Sequence, residues 1–191
     1  MKARTVTRTL VLVALMLNLG VAGVYAQHKH VEMTFSGTNV ATTINLQANT
    51  VTDETQLAGR GSLGPFTFRE LHADGAAPQP PSDCLGPSFG VLKGAGVFRV
   101  QDGSLLIVTV KDGSGCINLA EMHATLIVNY LITGGTGRFT DASGHLTMTA
   151  TLKAVLRNAA NAPALLINTG EFTGTIVGAG LEDKERPDEQ Q

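Results

Sequence analysis

The sequence predicts an all-β protein, a single antiparallel barrel of about eight strands. Three observations carry that expectation. Met122, Ala124, Leu126, Val128, Tyr130 and Ile132 share one parity, and Leu146, Met148, Ala150, Leu152, Ala154 and Leu156 repeat the pattern. A period of two is the mark of a strand with one buried face. Between the two rows lie Gly134, Gly135, Gly137 and Gly144, a glycine density that suits a tight, backbone-crowded connection. The composition is rich in Gly and Thr, lacks Trp and is poor in Lys and Glu, whereas a helical protein would favour Glu, Lys, Leu and Arg.

Residues 1–26 read as a secretory signal. Lys2, Arg4 and Arg8 form a basic start, Leu10 to Leu17 an apolar run, and Val24-Tyr25-Ala26 a small-residue cleavage site before Gln27. The rival is an uncleaved anchor, but the apolar run falls short of the ~20 residues of a spanning helix. The expected domain is then 27–180, preceded by the signal and followed by a charged, disordered tail at 181–191. The place of work is the periplasm or the outside of the cell.

The strands follow in order. Val31, Met33 and Phe35 alternate with Glu32, Thr34 and Ser36; Thr50 to Ala58 is a weaker, polar candidate. Pro65 to Leu71 places Phe66 and Phe68 on one face, and Ala73 to Pro87, with four prolines, reads as a loop. Gly90 to Val100 is apolar but interrupted by Gly94 and Gly96, which suggests a bulged or bent strand. Asp102-Gly103 signals a hairpin, Ser104 to Lys111 a central strand, and Asp112-Gly113 another turn. The two alternating strands come next, and Ala164 to Val177 is the last; Asn158 to Pro163 could hold a helical turn. Closure into a barrel removes exposed sheet edges. A flattened sandwich is the alternative.

Charge excludes some partners. The signal holds three of the 14 basic residues and none of the 16 acidic ones, so the mature chain carries about −5 with His neutral. A mildly acidic chain without a basic stripe is not built to neutralise phosphates, so no nucleic-acid partner is expected. Stable membrane insertion after cleavage is not expected either. Cys84 and Cys116 are an even pair in a chain expected to be exported, which favours a disulfide. It would close a loop of roughly 30 residues and contribute ~3–4 kcal/mol by the chain-entropy estimate.

The run Gly134-Gly135-Thr136-Gly137-Arg138-Phe139, with Ala142-Ser143-Gly144, resembles the signature turn of the allene oxide cyclase/dirigent-like barrels, small exported bacterial members above all. The resemblance implies a calycin-like barrel whose interior holds an apolar molecule, and relatives that are often dimers or trimers. Only the turn transfers residue by residue, and its role is scaffold: glycines for positive φ and close approach, Phe139 as a plug. Arg138 is expected to salt-bridge or cap near the turn.

No chemistry stands out. His28 and His30 could bind Cu(II) or Ni(II) at a free N-terminus. His72, His123 and His145 are isolated in sequence, so no built metal site and no cofactor is expected. The parity of His123 and His145 puts them on the solvent face; the sharper alternative gathers Glu70, Glu121, His123 and Glu171 at one barrel mouth as acid–base groups. Gly134 to Gly137 is followed by a strand rather than a helix, which excludes a phosphate loop. Ser62, Ser114 and Ser143 lack a nucleophile elbow. The expected function is a non-catalytic binding or structural module holding a small apolar molecule, and a homo-oligomer is compatible with it. The alternative is a cyclase- or isomerase-type barrel that confines a reactive substrate. Inward polar residues would point to the enzyme, and a barrel filled by Leu, Met and Phe to a surface role.

Overall fold

A computed structural model of the chain describes residues 27–77 and 79–178. The expected signal and the charged tail lie outside the described residues. Eight antiparallel strands close into an up-and-down barrel, each pairing with its neighbours in sequence and β1 pairing with β8. They are β1 (Gln27–Thr42), β2 (Val51–Gly61), β3 (Phe66–Ala76), β4 (Ser88–Val100), β5 (Leu105–Asn118), β6 (His123–Gly135), β7 (Ser143–Arg157) and β8 (Pro163–Gly178). The fold class is therefore the one the alternation predicts, and the sandwich alternative falls.

Three details differ from the sequence reading. β3 runs on to Ala76, so Ala73 to Ala76, read as the start of a loop, pair with β4 instead. Asp112-Gly113 does not turn the chain: β5 runs on to Asn118, and the register absorbs one extra residue, Lys111, between Val110 and Asp112. A bulge keeps both flanking segments paired with β6, so their ladder hydrogen bonds survive without a turn. Asn158 to Pro163 is a turn without a helix, held by the Asn158 side-chain oxygen, which accepts from the backbone N–H groups of Ala160 and Ala162 at 3.0 Å each. The bend expected near Gly94 is present as a register shift opposite Ala73 and Asp74, with Leu92 the unpaired residue.

One end of the barrel is closed. Phe35, Phe66, Phe68, Phe98 and Phe172 meet inside it with Tyr130, Met33 and Met148 around them. Phe172 is the hub: its ring lies 4.9 Å from Phe35, 4.9 Å from Phe98 and 5.2 Å from Phe68. Each such side chain contributes roughly 1.5–3 kcal/mol by leaving water, and tilted or edge-to-face pairs add to that.

The glycine-rich turn seals this end. Gly134 and Gly137 have φ of +135° and +60°, and a Cβ on Gly135 would collide with the Leu105 carbonyl oxygen. Thr136 donates its backbone N–H to the Leu105 carbonyl (2.8 Å) and accepts the Leu105 N–H on its hydroxyl (3.2 Å). That clamp directs a single 3-10 turn, Gly137–Phe139, inward, and Phe139 is fully buried. Arg138 donates to the Leu63 carbonyl oxygen (2.7 Å) and lies 3.5 Å from Asp102, tying three turns together.

Candidate functional site

The other half of the barrel is open. Its mouth is framed by the loops after β1, β3, β5 and β7, and it leads into a cavity of about 470 Å³. Ala41, Val51, Phe89, Leu126, Leu152 and Leu166 supply apolar wall. A larger groove, about 580 Å³, runs outside the barrel beneath the Cys84 loop. It holds no buried charged group, whereas the barrel cavity does, so the chemistry belongs to the barrel.

The charged groups come from β2 and β3. Along β3 the inward row reads Phe66, Phe68, Glu70, His72, Asp74, changing from apolar to ionisable at the waist. Strand pairing sets Thr55 opposite Glu70 and Asp53 opposite His72 on the same face. Room for this row comes from β4, where Gly96 and Gly94 stand opposite Glu70 and His72. A Cβ at Gly94 would lie 2.7 Å from the His72 Cβ, so the imidazole keeps its place only beside a glycine.

Glu70 is 2% exposed and accepts the Tyr130 hydroxyl on Oε2 at 3.0 Å. His72, 1% exposed, points Nδ1 at the same Oε2 (3.4 Å) and Nε2 at Asp74 Oδ2 (3.6 Å). Both separations exceed hydrogen-bond length, and these contacts are charge–charge. Burial alone would depress the His72 pKa, but the Glu70 and Asp74 carboxylates outweigh it and hold it well above its ordinary 6.5. Burial, then the neighbouring charge of Asp74, pushes Asp53 up from 3.8 to about 6, with His72 pulling the other way. Tyr130 is raised well above 10 by burial and then by Glu70, so its hydroxyl stays a neutral donor. Asn39 donates to the Thr55 hydroxyl (2.9 Å), which leaves its own Oδ1 unpaired on the cavity wall.

The acid–base gathering of Glu70, Glu121, His123 and Glu171 does not occur. Glu70 is at the waist, and Glu121 pairs with His123 (3.3 Å) on the rim, where His123 is partly exposed. Glu171 is on the outer face opposite Thr34 and Thr149, because it has the opposite parity to the inward Phe172. His28, His30 and His145 are exposed. Cys84 and Cys116 form the disulfide (Cα–Cα 5.6 Å), which pins the β3–β4 loop to β5 beside the mouth. Asp53, His72 and Asp74 are the site residues that sequence reading missed. The signal was present: Glu70, His72 and Asp74 continue the parity of Phe66 and Phe68, and Asp53 that of Leu57.

Neither family models nor curated proteins give a match to this chain. Among the described residues no helix is long and apolar enough to cross a membrane. The disulfide is consistent with an extracellular or periplasmic location.

Proposed function

We propose that this protein is a binding barrel that takes a small, mostly apolar molecule into its open half. One observation carries the reading: a cavity of about 470 Å³ with apolar walls and a small set of convergent polar groups at its inner end. That is the usual make-up of a small-molecule site, in which the walls supply affinity and a few polar atoms fix orientation. Resemblance of the Gly-Gly-Thr-Gly-Arg-Phe turn to that of the allene oxide cyclase/dirigent-like barrels supports the same conclusion. Export follows from the signal-like residues 1–26, and a homo-oligomer would cover Val97, Ile107, Ile127 and Leu131, which are exposed on β4 to β6.

The test is titration with the neutral apolar fluorophore N-phenyl-1-naphthylamine. Ala154→Trp fills the barrel cavity and is expected to weaken binding at least ten-fold with the circular dichroism spectrum unchanged. Ile127→Trp, which obstructs only the outer groove, leaves binding intact. Equal weakening by both, or by Ile127→Trp alone, sinks the barrel reading.

A second reading, proton-transfer catalysis of the cyclase or isomerase type, is favoured by the polar residues that point inward, the feature expected of an enzyme. The Asp53 carboxyl faces the cavity and is backed by the row Asp74, His72, Glu70. A positioned acid–base group of that kind can move a proton on a bound molecule. Solvent deuterium entering the carbon beside the carbonyl of a small cyclic ketone, and no longer doing so in Asp53→Asn, would favour the enzyme.

A further inference from the structure

We infer that Asp53, His72 and Asp74 form a binding site for a divalent first-row transition-metal ion at the inner end of the barrel cavity. This stands apart from the apolar-ligand reading and does not require it.

The three side chains offer one imidazole nitrogen and two carboxylate oxygens, all within 4.8 Å of one another. Two come from directly paired positions, Asp53 opposite His72, and Asp74 follows His72 on the same face of β3. Three ligands thus rest on two adjacent strands whose register the barrel fixes. Ligand atoms that share one metal at ~2.0–2.2 Å lie roughly 3–4 Å apart. His72 Nε2 and Asp74 Oδ2, at 3.6 Å, already satisfy that spacing. Asp53 lies within the 4.8 Å that bounds all three ligand atoms and stands across from His72 on the paired strand.

Carboxylates alone would not make a site. The independent observation is His72 itself, a buried imidazole with neither nitrogen hydrogen-bonded, whose Nε2 lies 3.6 Å from Asp74 Oδ2. Its other nitrogen faces Glu70, and Glu70 is held by the Tyr130 hydroxyl. An imidazole that gives one nitrogen to a metal and the other to a buried carboxylate is the standard outer-shell arrangement of metal-binding histidines. It also accounts for a glutamate at the waist of an apolar barrel. Asn39, 1% exposed with Oδ1 unpaired on the same cavity wall, adds a further oxygen donor. The charges facing the cluster are Glu70 from β3 and, farther out on the cavity wall, Arg157 and His123. Arg157 donates to the Asn161 carbonyl oxygen (2.9 Å). One imidazole with two carboxylates suits zinc, manganese or iron better than calcium or magnesium, which prefer all-oxygen sets.

The exposed histidines on the outside need control. His30 and His145 both pair with Thr175 on the outer face, and His28 lies close by. The experiment therefore uses the mature protein carrying His28→Gln, His30→Gln and His145→Gln, stripped with a chelator and titrated calorimetrically with ZnCl2. One zinc per chain is expected, with X-ray absorption showing a single imidazole among oxygen ligands. His72→Gln and Asp53→Asn should each weaken binding at least 100-fold. Glu70→Gln, which changes only the carboxylate facing His72 Nδ1, should weaken it 10–100-fold while the stoichiometry stays at one. Glu171→Gln on the outer face should change nothing.

Zinc that fails to bind the parent, or binds it and all three site variants alike, overturns the inference. Should His72→Gln fail to fold, the Asp53→Asn and Glu70→Gln titrations decide it by themselves. Failure here with N-phenyl-1-naphthylamine still bound would leave the apolar-ligand reading standing, and the converse result would leave the metal site standing.

Discussion

The two halves of the barrel are made by the same eight strands yet obey opposite rules. In the closed half, inward positions carry Phe66, Phe68, Phe98 and Phe172, and every ring is fully or almost fully buried against another. In the open half, inward positions four and six residues beyond Phe68 along β3 carry His72 and Asp74, with Asp53 across from them. The closed half maximises contact. The open half keeps buried polar atoms of Glu70, His72, Asp74 and Asn39 without hydrogen-bond partners, a state that stability alone does not favour. Placing the burden of stability at one end lets the other hold groups arranged for binding.

The comparison breaks most sharply at its hub. Phe172→Ala should lower the unfolding free energy by about 3–5 kcal/mol, because it empties the space that Phe35, Phe68 and Phe98 share; urea denaturation measures it. Loss of less than ~1 kcal/mol would mean that the closed half is not the stabilising one. The next effect lies beside the mouth. Replacing Cys84 and Cys116 together by Ser should lower stability by about 2–4 kcal/mol and raise protease cleavage within the β3–β4 loop.

The third prediction has the opposite sign. Glu70→Leu with His72→Leu converts the waist of the open half to apolar packing. It should leave stability unchanged or raise it by about 1–4 kcal/mol, while zinc binding disappears. A loss as large as that of Phe172→Ala would show that the polar row is structural after all.

A pH series in the presence of chelator sharpens the contrast further. Between about pH 3.8 and 6 the folded chain keeps a proton on Asp53 that the unfolded chain has released, so stability falls as pH rises through that window. His72 acts with the same sign: its stabilisation is complete below its ordinary 6.5 and is lost as pH climbs through its raised folded value. The melting temperature should therefore be higher near pH 5 than near pH 8. Asp53→Asn should flatten the lower part of the curve and His72→Gln the upper. The smallest expected effect belongs to the sealed end: Arg138→Ala removes the bond to the Leu63 carbonyl and the contact with Asp102, at a cost of about 1 kcal/mol.

Most of the fold was legible because alternation is a local property. Leu126, Val128 and Tyr130 announce an inward row without any knowledge of their partners, and they are buried as their parity requires. Where β5 passes Lys111 the same logic failed, since a bulge preserves pairing while imitating a turn in sequence. The site was harder for a related reason. Glu70, His72 and Asp74 follow the parity of Phe66 and Phe68, but an acidic residue in that row reads as the end of a strand. Only the closure of the barrel makes such a position interior. That Asp53 meets His72 depends on the β2–β3 register, which the chain between them does not announce. Glu171 shows the reverse error: gathering it with Glu70 at the mouth conflicts with its parity, which places it outside, next to the inward Phe172.

The pairing of β1 with β8 has a consequence for how this barrel can be handled. Gln27 stands opposite Gly178, so the first and last strands begin and finish side by side at the plugged end, below Phe139 and away from Asp53 and His72. A purification tag, a lipid tether or a fused neighbour joined before Gln27 or after Gly178 is attached behind the molecule. Anchored at either of those two strand ends, the barrel presents its mouth outward to whatever flows past.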